Sequence, residues 1–313
     1  MESAALYRVK QQFILGAYKS LTDLALPPPN APDYVPALIY KARAHLALSA
    51  PQEALAVLAS AEDPENIAVR AATSLAKYIG AEEDAEKEST LEELRDLCVE
   101  IEGEEEGEER DRWTVRVLAG TAFARAGEVE EALETLGAGS NTFSLEATAV
   151  TVQVYLSIHR PDLARKELAL AKRWAEDDLL LQHIEASISL VTGADGYADC
   201  NSYYTEQLAN PSLTAPHLFT ARGVTRILMG EVAAAKSDFE EVKERDAETL
   251  AAMVVAEELA PGKGGEGAEA LWSQLVSQFP TFPLVRDVQE KSELFDELAA
   301  KFEVPPLAVA SAA

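Results

Sequence analysis

The sequence predicts an all-α protein: a right-handed solenoid in which short helix pairs stack on one another. Three observations carry that prediction. Alanine, leucine and glutamate dominate a composition that is 48% hydrophobic and only 7% aromatic, which favours helices over strands. Residues 145–174 read as one complete helix-turn-helix unit. Small residues near the start of successive second helices, Ala132, Ala164, Cys200 and Ala235, recur at intervals of 32, 36 and 35.

The unit at 145–174 sets the template. Ala147, Val150, Val154 and Ile158 stand at helical spacing, and Val152, Tyr155 and Leu156 cover much of the remaining surface, so this helix is buried on most sides. The stretch Thr148 to Tyr155 is rich in β-branched residues and also fits a strand, but a helical partner follows after a very short turn. Pro161 opens that partner, with Asp162 at its positive end and Lys172 and Arg173 at its negative end. Ala164, Leu168 and Ala171 face inward, leaving Arg165, Lys166 and Glu167 largely to solvent.

In chain order, residues 6–25 read as a first helix with Val9, Phe13 and Ala17 on one face. The run Pro27-Pro28-Pro29-Asn30-Ala31-Pro32 breaks it. Helices follow at Tyr34–Leu48, from Pro51 with Ala54, Leu55 and Leu58 inward, and at Ile67–Ile79. From 82 to 111 there are 16 acidic residues against Lys87, Arg95 and Arg110, an acidic insertion carrying −13 of the net −27. Its first part keeps helical spacing at Leu91, Leu94, Leu97 and Val99, whereas 102–109, Glu and Gly throughout, has nothing to bury and predicts a mobile loop. That loop fits a solvated insertion better than a lure for a basic partner. Further pairs fall at Trp113–Arg125 with Val129–Leu136, Leu179–Val191 with Ala198–Leu208, and His217–Met229 with Val232–Arg245. Last come Glu248–Leu259 with Glu266–Phe279, a helix at Ser292–Phe302, and a flexible tail over 303–313 after Pro305-Pro306.

The register places Gly120, Val152, Ile188 and Gly223 twelve residues before each small residue. Gly127, His159, Asp195 and Gly230 fall at the turn, and Leu136, Leu168, Tyr204 and Phe239 four residues after the mark. Ala42, Ser49, Ala54 and Leu58 fit the same offsets. The period is close to the 34 residues of tetratricopeptide repeats, so residues 1–313 resemble one tetratricopeptide-like solenoid, in which small residues on both helices of a pair would meet where the helices cross. Val152 and Ile188 depart from the pattern on the first helix, with Ser187 and Ser189 beside the second, and His159 departs at the turn.

Several function classes are excluded. A net charge of −27 disfavours direct contact with nucleic-acid phosphate or an anionic leaflet. Cys98 and Cys200 form no metal or redox spacing, no Asn-x-Ser/Thr acceptor exists, and no apolar run nears the ~20 residues of a membrane helix. The start, Met-Glu-Ser-Ala-Ala-Leu-Tyr-Arg, lacks the build of a signal peptide, and a soluble intracellular protein is the expectation. Gly262 to Gly267 satisfies G-x-G-x-x-G, but what precedes it reads as a closing helix rather than a strand. His45, His159, His183 and His217 are isolated, so no metal, cofactor or catalytic residue is assigned.

Three stretches carry a more specific resemblance. Leu145 to Gln153 followed by Asp162 to Leu168 closely resembles the central segment of the epsilon subunit family of coatomer. Leu6 to Tyr18 is similar to that family's opening helix, and Phe295-Asp296-Glu297-Leu298 with Phe302 to its tail. The Glu-Gly-rich insertion and the Pro-Pro tail depart from it. The resemblance implies a non-catalytic subunit of the coat that carries cargo from Golgi to endoplasmic reticulum and within the Golgi. Such a subunit is cytoplasmic, peripheral on Golgi membranes and coated vesicles, and grips the C-terminal region of the alpha subunit of the heptameric coatomer. Its membrane association would be indirect. Carried onto the first helices, the repeat register puts Thr121, Arg125, Gln153, Leu156, Ser189, Thr220, Val224 and Ile227 on the concave, partner-facing side. This mix of apolar and small polar groups suits a protein segment better than a phosphate or a small molecule, though packing against the next repeat suits each of them equally. A co-chaperone adaptor would need Lys, Arg and Asn on successive first helices, and only Arg125 serves there. A helical-bundle enzyme would need a Glu-x-x-His set, which is missing.

Overall fold

The structure, a computed structural model, describes residues 3–103, 108–140, 142–210, 215–260 and 266–302. Its helices stack as antiparallel pairs: α3 (Tyr34–Ala47) on α4 (Pro51–Leu58), α5 (Ile67–Gly80) on α6 (Asp84–Gly103), α7 (Glu109–Ala126) on α8 (Val129–Thr135) and α9 (Leu145–Ser157) on α10 (Pro161–Ala171). The array continues through α11 (Leu179–Thr192) and α12 (Tyr197–Leu208), α13 (Pro216–Leu228) and α14 (Val232–Glu241), and α15 (Ala247–Leu259) and α16 (Glu266–Gln278). Two short helices, α1 (Ala4–Ile14) and α2 (Tyr18–Thr22), precede it and α17 (Pro283–Ala299) follows it. No strand occurs among the described residues, so Thr148 to Tyr155 is helical.

Four of the turns close in the same way. Ser49, Gly127, His159 and Gly230 all take positive φ, at 59°, 83°, 58° and 79°. In each, the next amide reaches back past the helix end: Ala50 to the His45 carbonyl, Glu128 to Phe123, Arg160 to Tyr155 and Glu231 to Arg226, at 2.8–2.9 Å. This is the left-handed helix stop that satisfies carbonyls left open by the last turn. Glycine enters that conformation freely, whereas His159 and Ser49 accept a cost of about 1–2 kcal/mol in the same place. His159 therefore keeps the turn. The turn near Asp195 differs: Gly193 turns at φ 114° and residues 194–196 form a short 3-10 helix before α12.

The crossing of each pair works differently from the expected meeting of two small residues. A methyl placed on Gly223 would lie 2.4 Å from Phe239 Cε1, and one on Gly120 2.6 Å from Leu136 Cγ. The glycine of the first helix thus receives the large side chain of the second, one turn beyond the small alanine. In α11 and α12 the close approach shifts to Ser189 and Gly196, where a methyl on the glycine would stand 2.8 Å from the serine Cβ. Ile188 is then free to enter the core.

Other expectations need correction. Residues 6–25 do not form one helix: Gly16, at φ 74°, separates α1 from α2 and turns Leu15 fully inward. The acidic segment supplies a complete second helix, α6, whose Leu91, Leu94, Leu97 and Ile101 are buried against the main core. Val99 is 69% exposed, because it falls across the helix from that row. Glu102 and Gly103 continue α6 and Glu109 begins α7, while 104–107 of the expected loop lie outside the described residues. Glu167 is buried rather than solvated, and its carboxylate accepts the Gly139 amide at 2.8 Å. Burial pushes that carboxyl up, and the amide bond partly offsets the shift. The last helix begins at Pro283, nine residues before the expected Ser292. The tail 303–313 and Gly262 to Gly265 lie outside the described residues; Gly267 sits in α16 after the helix α15, so the G-x-G-x-x-G string lacks its strand.

Candidate functional site: a concave face crossed by the first helix

The first helices α3, α7, α9 and α11 line a concave face, and α1 with α2 lies across it. Leu6, Val9 and Leu21 pack with Tyr40 and Ala44 of α3. Leu15 and Ala17 pack instead with Ala186, Cys200, Tyr203, Tyr204, Ala215 and Leu218, on α11, α12 and the start of α13. Full burial of Leu15 stabilises this bridge by about 1.5–3 kcal/mol. Lys19 pairs with Glu244 at its far end. The N-terminal segment therefore ties α3, the first helix of the first pair, to the far half of the array.

That bridge divides the concave side into two cavities. One, of about 890 Å³, runs between α1 and the first turns of α3, α7, α9 and α11. The other, of about 530 Å³, lies on the opposite side of α1, walled by Phe13, Ile14 and Tyr18 together with Tyr40, Arg43, Thr121, Arg125, Glu146, Gln153 and His183.

A charged and aromatic network holds the wall of this second cavity. Arg43 donates to Glu146 at 2.7 Å, and the Tyr40 hydroxyl donates to the other oxygen of the same carboxylate. The Arg43 guanidinium also stands 4.5 Å from the Phe13 ring centre and 5.3 Å from that of Tyr40. Phe13 in turn contacts Tyr18 edge-on at 5.6 Å. Burial pushes the Glu146 carboxyl up, but the Arg43 charge and the two hydrogen bonds outweigh it and hold the group below the usual carboxylate range. Burial likewise raises the Tyr18 phenol.

His183 titrates in the opposite sense to a salt-bridged histidine. Burial, helped by the nearby His217, lowers it to about 4. Its Nδ1 lies 3.5 Å from the Tyr203 hydroxyl. With an unfolded pKa near 6.5, the folded chain binds fewer protons than the unfolded chain as pH falls below about 6.5, so stability drops until the folded pKa is passed. Allowing for residual solvent access, about 1–2 kcal/mol is lost by pH 5. Thermal melting between pH 7 and pH 5 checks this, and His183→Gln should flatten that slope.

Of the eight residues placed on the concave side from sequence, three come together: Thr121, Arg125 and Gln153 line the smaller cavity. Thr121 gives its hydroxyl to the Val117 carbonyl, whereas Arg125 and Gln153 are exposed. The other five serve the array itself. Leu156 packs in the core of α9, α10 and α11, and Ser189 faces Gly196. Thr220 is buried and shares a 2.8 Å hydrogen bond with Thr249. Val224 and Ile227 pack on Ala235, Phe239, Ala252 and Ala256. These contacts withdraw Thr220, Val224 and Ile227 from the groove because α15 stacks directly over α13. Sequence reasoning missed Arg43 and Glu146, which lie 103 positions apart, and the aromatic wall from α1 and α2.

Among the described residues no group of three or more His, Cys, Asp or Glu side chains is placed to hold a metal. No described helix is long and apolar enough to cross a membrane. The model of the coatomer epsilon subunit family matches residues 2–303. This chain belongs to the coatomer epsilon subunit family. Similar members of this coatomer family include coatomer subunit epsilon-1 of Arabidopsis thaliana, 25% identical over 95% of this chain and 97% of that protein. The probable coatomer subunit epsilon of Schizosaccharomyces pombe is 24% identical, over 96% of each. Among solved structures, a tetratricopeptide repeat protein from Parabacteroides merdae superposes with a TM-score of 0.56 at 15% identity, covering 82% of this chain and 97% of that one. That likeness supports the tetratricopeptide-like solenoid fold. As a coatomer component, the chain is a structural part of a vesicle coat.

Proposed function

We propose that this epsilon subunit grips the C-terminal region of the alpha subunit of coatomer on its concave face and so stabilises that subunit within the coat for Golgi-to-ER and intra-Golgi transport. The observation that carries the proposal is the cavity of about 530 Å³ beside α1. Rigid aromatic walls from Phe13, Tyr18 and Tyr40 adjoin the exposed polar ends of Arg125 and Gln153. Anchored aromatic surface with a few directional polar groups is what a protein segment needs for tight docking. Arg43 is already neutralised by Glu146, which leaves the cavity poor in free positive charge. A carboxylate-terminus clamp of the co-chaperone type is correspondingly disfavoured. Membrane association is indirect, through the other coat subunits, because a chain of net charge −27 is repelled by an anionic leaflet.

Co-purification with the C-terminal region of an alpha subunit, followed by gel filtration at low and then high salt, tests this reading. A one-to-one complex that survives high salt is the expected result, and Gln153→Trp, which fills the cavity mouth, should weaken it at least tenfold. Failure of the folded chain to bind, or loss of the complex at modest salt, would count against an apolar concave grip.

A further inference from the structure

The last described helix, α17, carries an exposed apolar stripe that no other described helix covers. Leu284, Val288, Phe295 and Leu298 follow i, i+4, i+11 and i+14, one line along a 3.6-residue helix, and Phe302 lies three residues beyond its last residue, Ala299. They are 40%, 41%, 70%, 44% and 74% exposed. Only Val285, at the first turn, enters the core, against Leu250 and Leu275. Terminal repeats of a solenoid ordinarily turn a polar face outward. Among the described residues, every repeat helix before α17 has an antiparallel partner and α17 has none.

We infer that α17 is a docking helix, and that its occupant is an amphipathic helix of a protein partner carrying an apolar stripe flanked by Lys or Arg. Charge complementarity selects this occupant. Residues 283–302 hold Asp287, Glu290, Glu293, Asp296 and Glu297 against Arg286, Lys291 and Lys301, and two of those cations are already used within the helix, Lys291 by Asp287 and Lys301 by Glu297. A second copy of the chain would bring two such acidic helices, each on a body of charge −27, into contact. An anionic lipid surface meets the same repulsion. A basic-flanked helix gains on both counts, laying apolar side chains into the stripe as in other helix-in-groove pairings. This surface lies beyond the concave face, and the inference does not depend on what that face binds.

The test uses the full chain and a labelled 21-residue probe peptide with Leu at heptad a and d positions and Lys elsewhere, beside a scrambled peptide of identical composition. Fluorescence anisotropy should show the amphipathic peptide binding at least tenfold more tightly than the scrambled one. The double variant Phe295→Asp, Leu298→Asp should abolish that preference, although its added negative charge would strengthen any purely ionic attraction. Gln289→Asp, on the polar side of the same helix, should leave the preference intact. Both side chains in the double variant are largely exposed, so circular dichroism should show an unchanged fold. Equal binding of the two peptides, or a preference that survives the double variant, would overturn the inference. So would sedimentation with phosphatidylcholine and phosphatidylserine vesicles that the double variant removes, or a concentration-dependent dimer that it dissolves, since these assign the stripe to a membrane or to a second copy.

Discussion

Gly223→Leu is expected to cost about 3 kcal/mol or more, the largest single loss the packing predicts. The glycine is buried in α13, and Phe239, 1% exposed, lies directly over it. A Cβ alone would stand 2.4 Å from the ring carbon Cε1, and 2.7 Å from Cζ. The ring has no room to retreat, because Ala235, Ala252 and Ala256 pack around it in the same cluster. Relief requires α13 and α14 to separate, which opens the contact to α15 as well. Even Gly223→Ala should destabilise measurably. Gly120→Ala should cost less, since the opposing Leu136 side chain can change rotamer more readily than a ring. Chemical denaturation with a shared m-value checks the order Gly223→Leu, Gly223→Ala, Gly120→Ala. A Gly223→Leu protein as stable as the parent would contradict the crossing geometry.

The second large effect belongs to the Arg43–Glu146–Tyr40 network. Glu146→Ala removes the acceptor for both partners and leaves Arg43, only 17% exposed in its side chain, without its counter-charge beneath the Phe13 ring. Breaking such a pair from one side costs about 3 kcal/mol, because the remaining charge stays desolvated. Glu146→Gln keeps the shape and part of the hydrogen bonding, so it should cost less. The pH dependence follows from the sign of the shift. The folded carboxyl titrates below its unfolded value of about 4.3, so the stabilisation is complete above that pH and is lost as pH falls through the lower folded value. The parent should therefore show a steeper acid limb below about pH 4.5 than Glu146→Gln does. The His183 slope begins at higher pH, below about 6.5, and single variants at the two positions distinguish the two contributions. Because the same network fixes Phe13 and Tyr40 in the cavity wall, Glu146→Ala should also weaken partner binding more than its stability loss alone explains.

Local sequence carried most of the fold. Pro51 and Pro161 at helix starts, and glycines or tolerated left-handed residues at four turns, mark the pairs without knowledge of their neighbours. The register of small and large residues identified the members of two crossings, Gly120 with Leu136 and Gly223 with Phe239, but not that each glycine meets the large residue, and between α11 and α12 it pointed to Ile188 where Ser189 and Gly196 meet. That assignment depends on the angle between helices, and a repeat pattern does not contain it. Gly16 had the same limitation: a single glycine within an otherwise helical pattern gave no sign that it would turn the first helix across the concave face. The candidate site was less legible for a related reason. Thr121, Arg125 and Gln153 could be placed by periodicity because α7 and α9 are regular repeat helices. Thr220, Val224 and Ile227 occupy corresponding faces, yet α15 stacks over them. Arg43 and Glu146 meet only through the stacking of α3 and α9, and neither residue carries a local mark of the other.

Amide hydrogen exchange with and without the C-terminal region of an alpha subunit tests the central claim most directly. The concave grip predicts slowed exchange in α1, in the C-terminal half of α7 and in α9, around Phe13, Arg125 and Gln153, with the outer helices α8, α10 and α14 unchanged. Protection confined to those outer helices, with α7 and α9 exchanging as in the free chain, would contradict it.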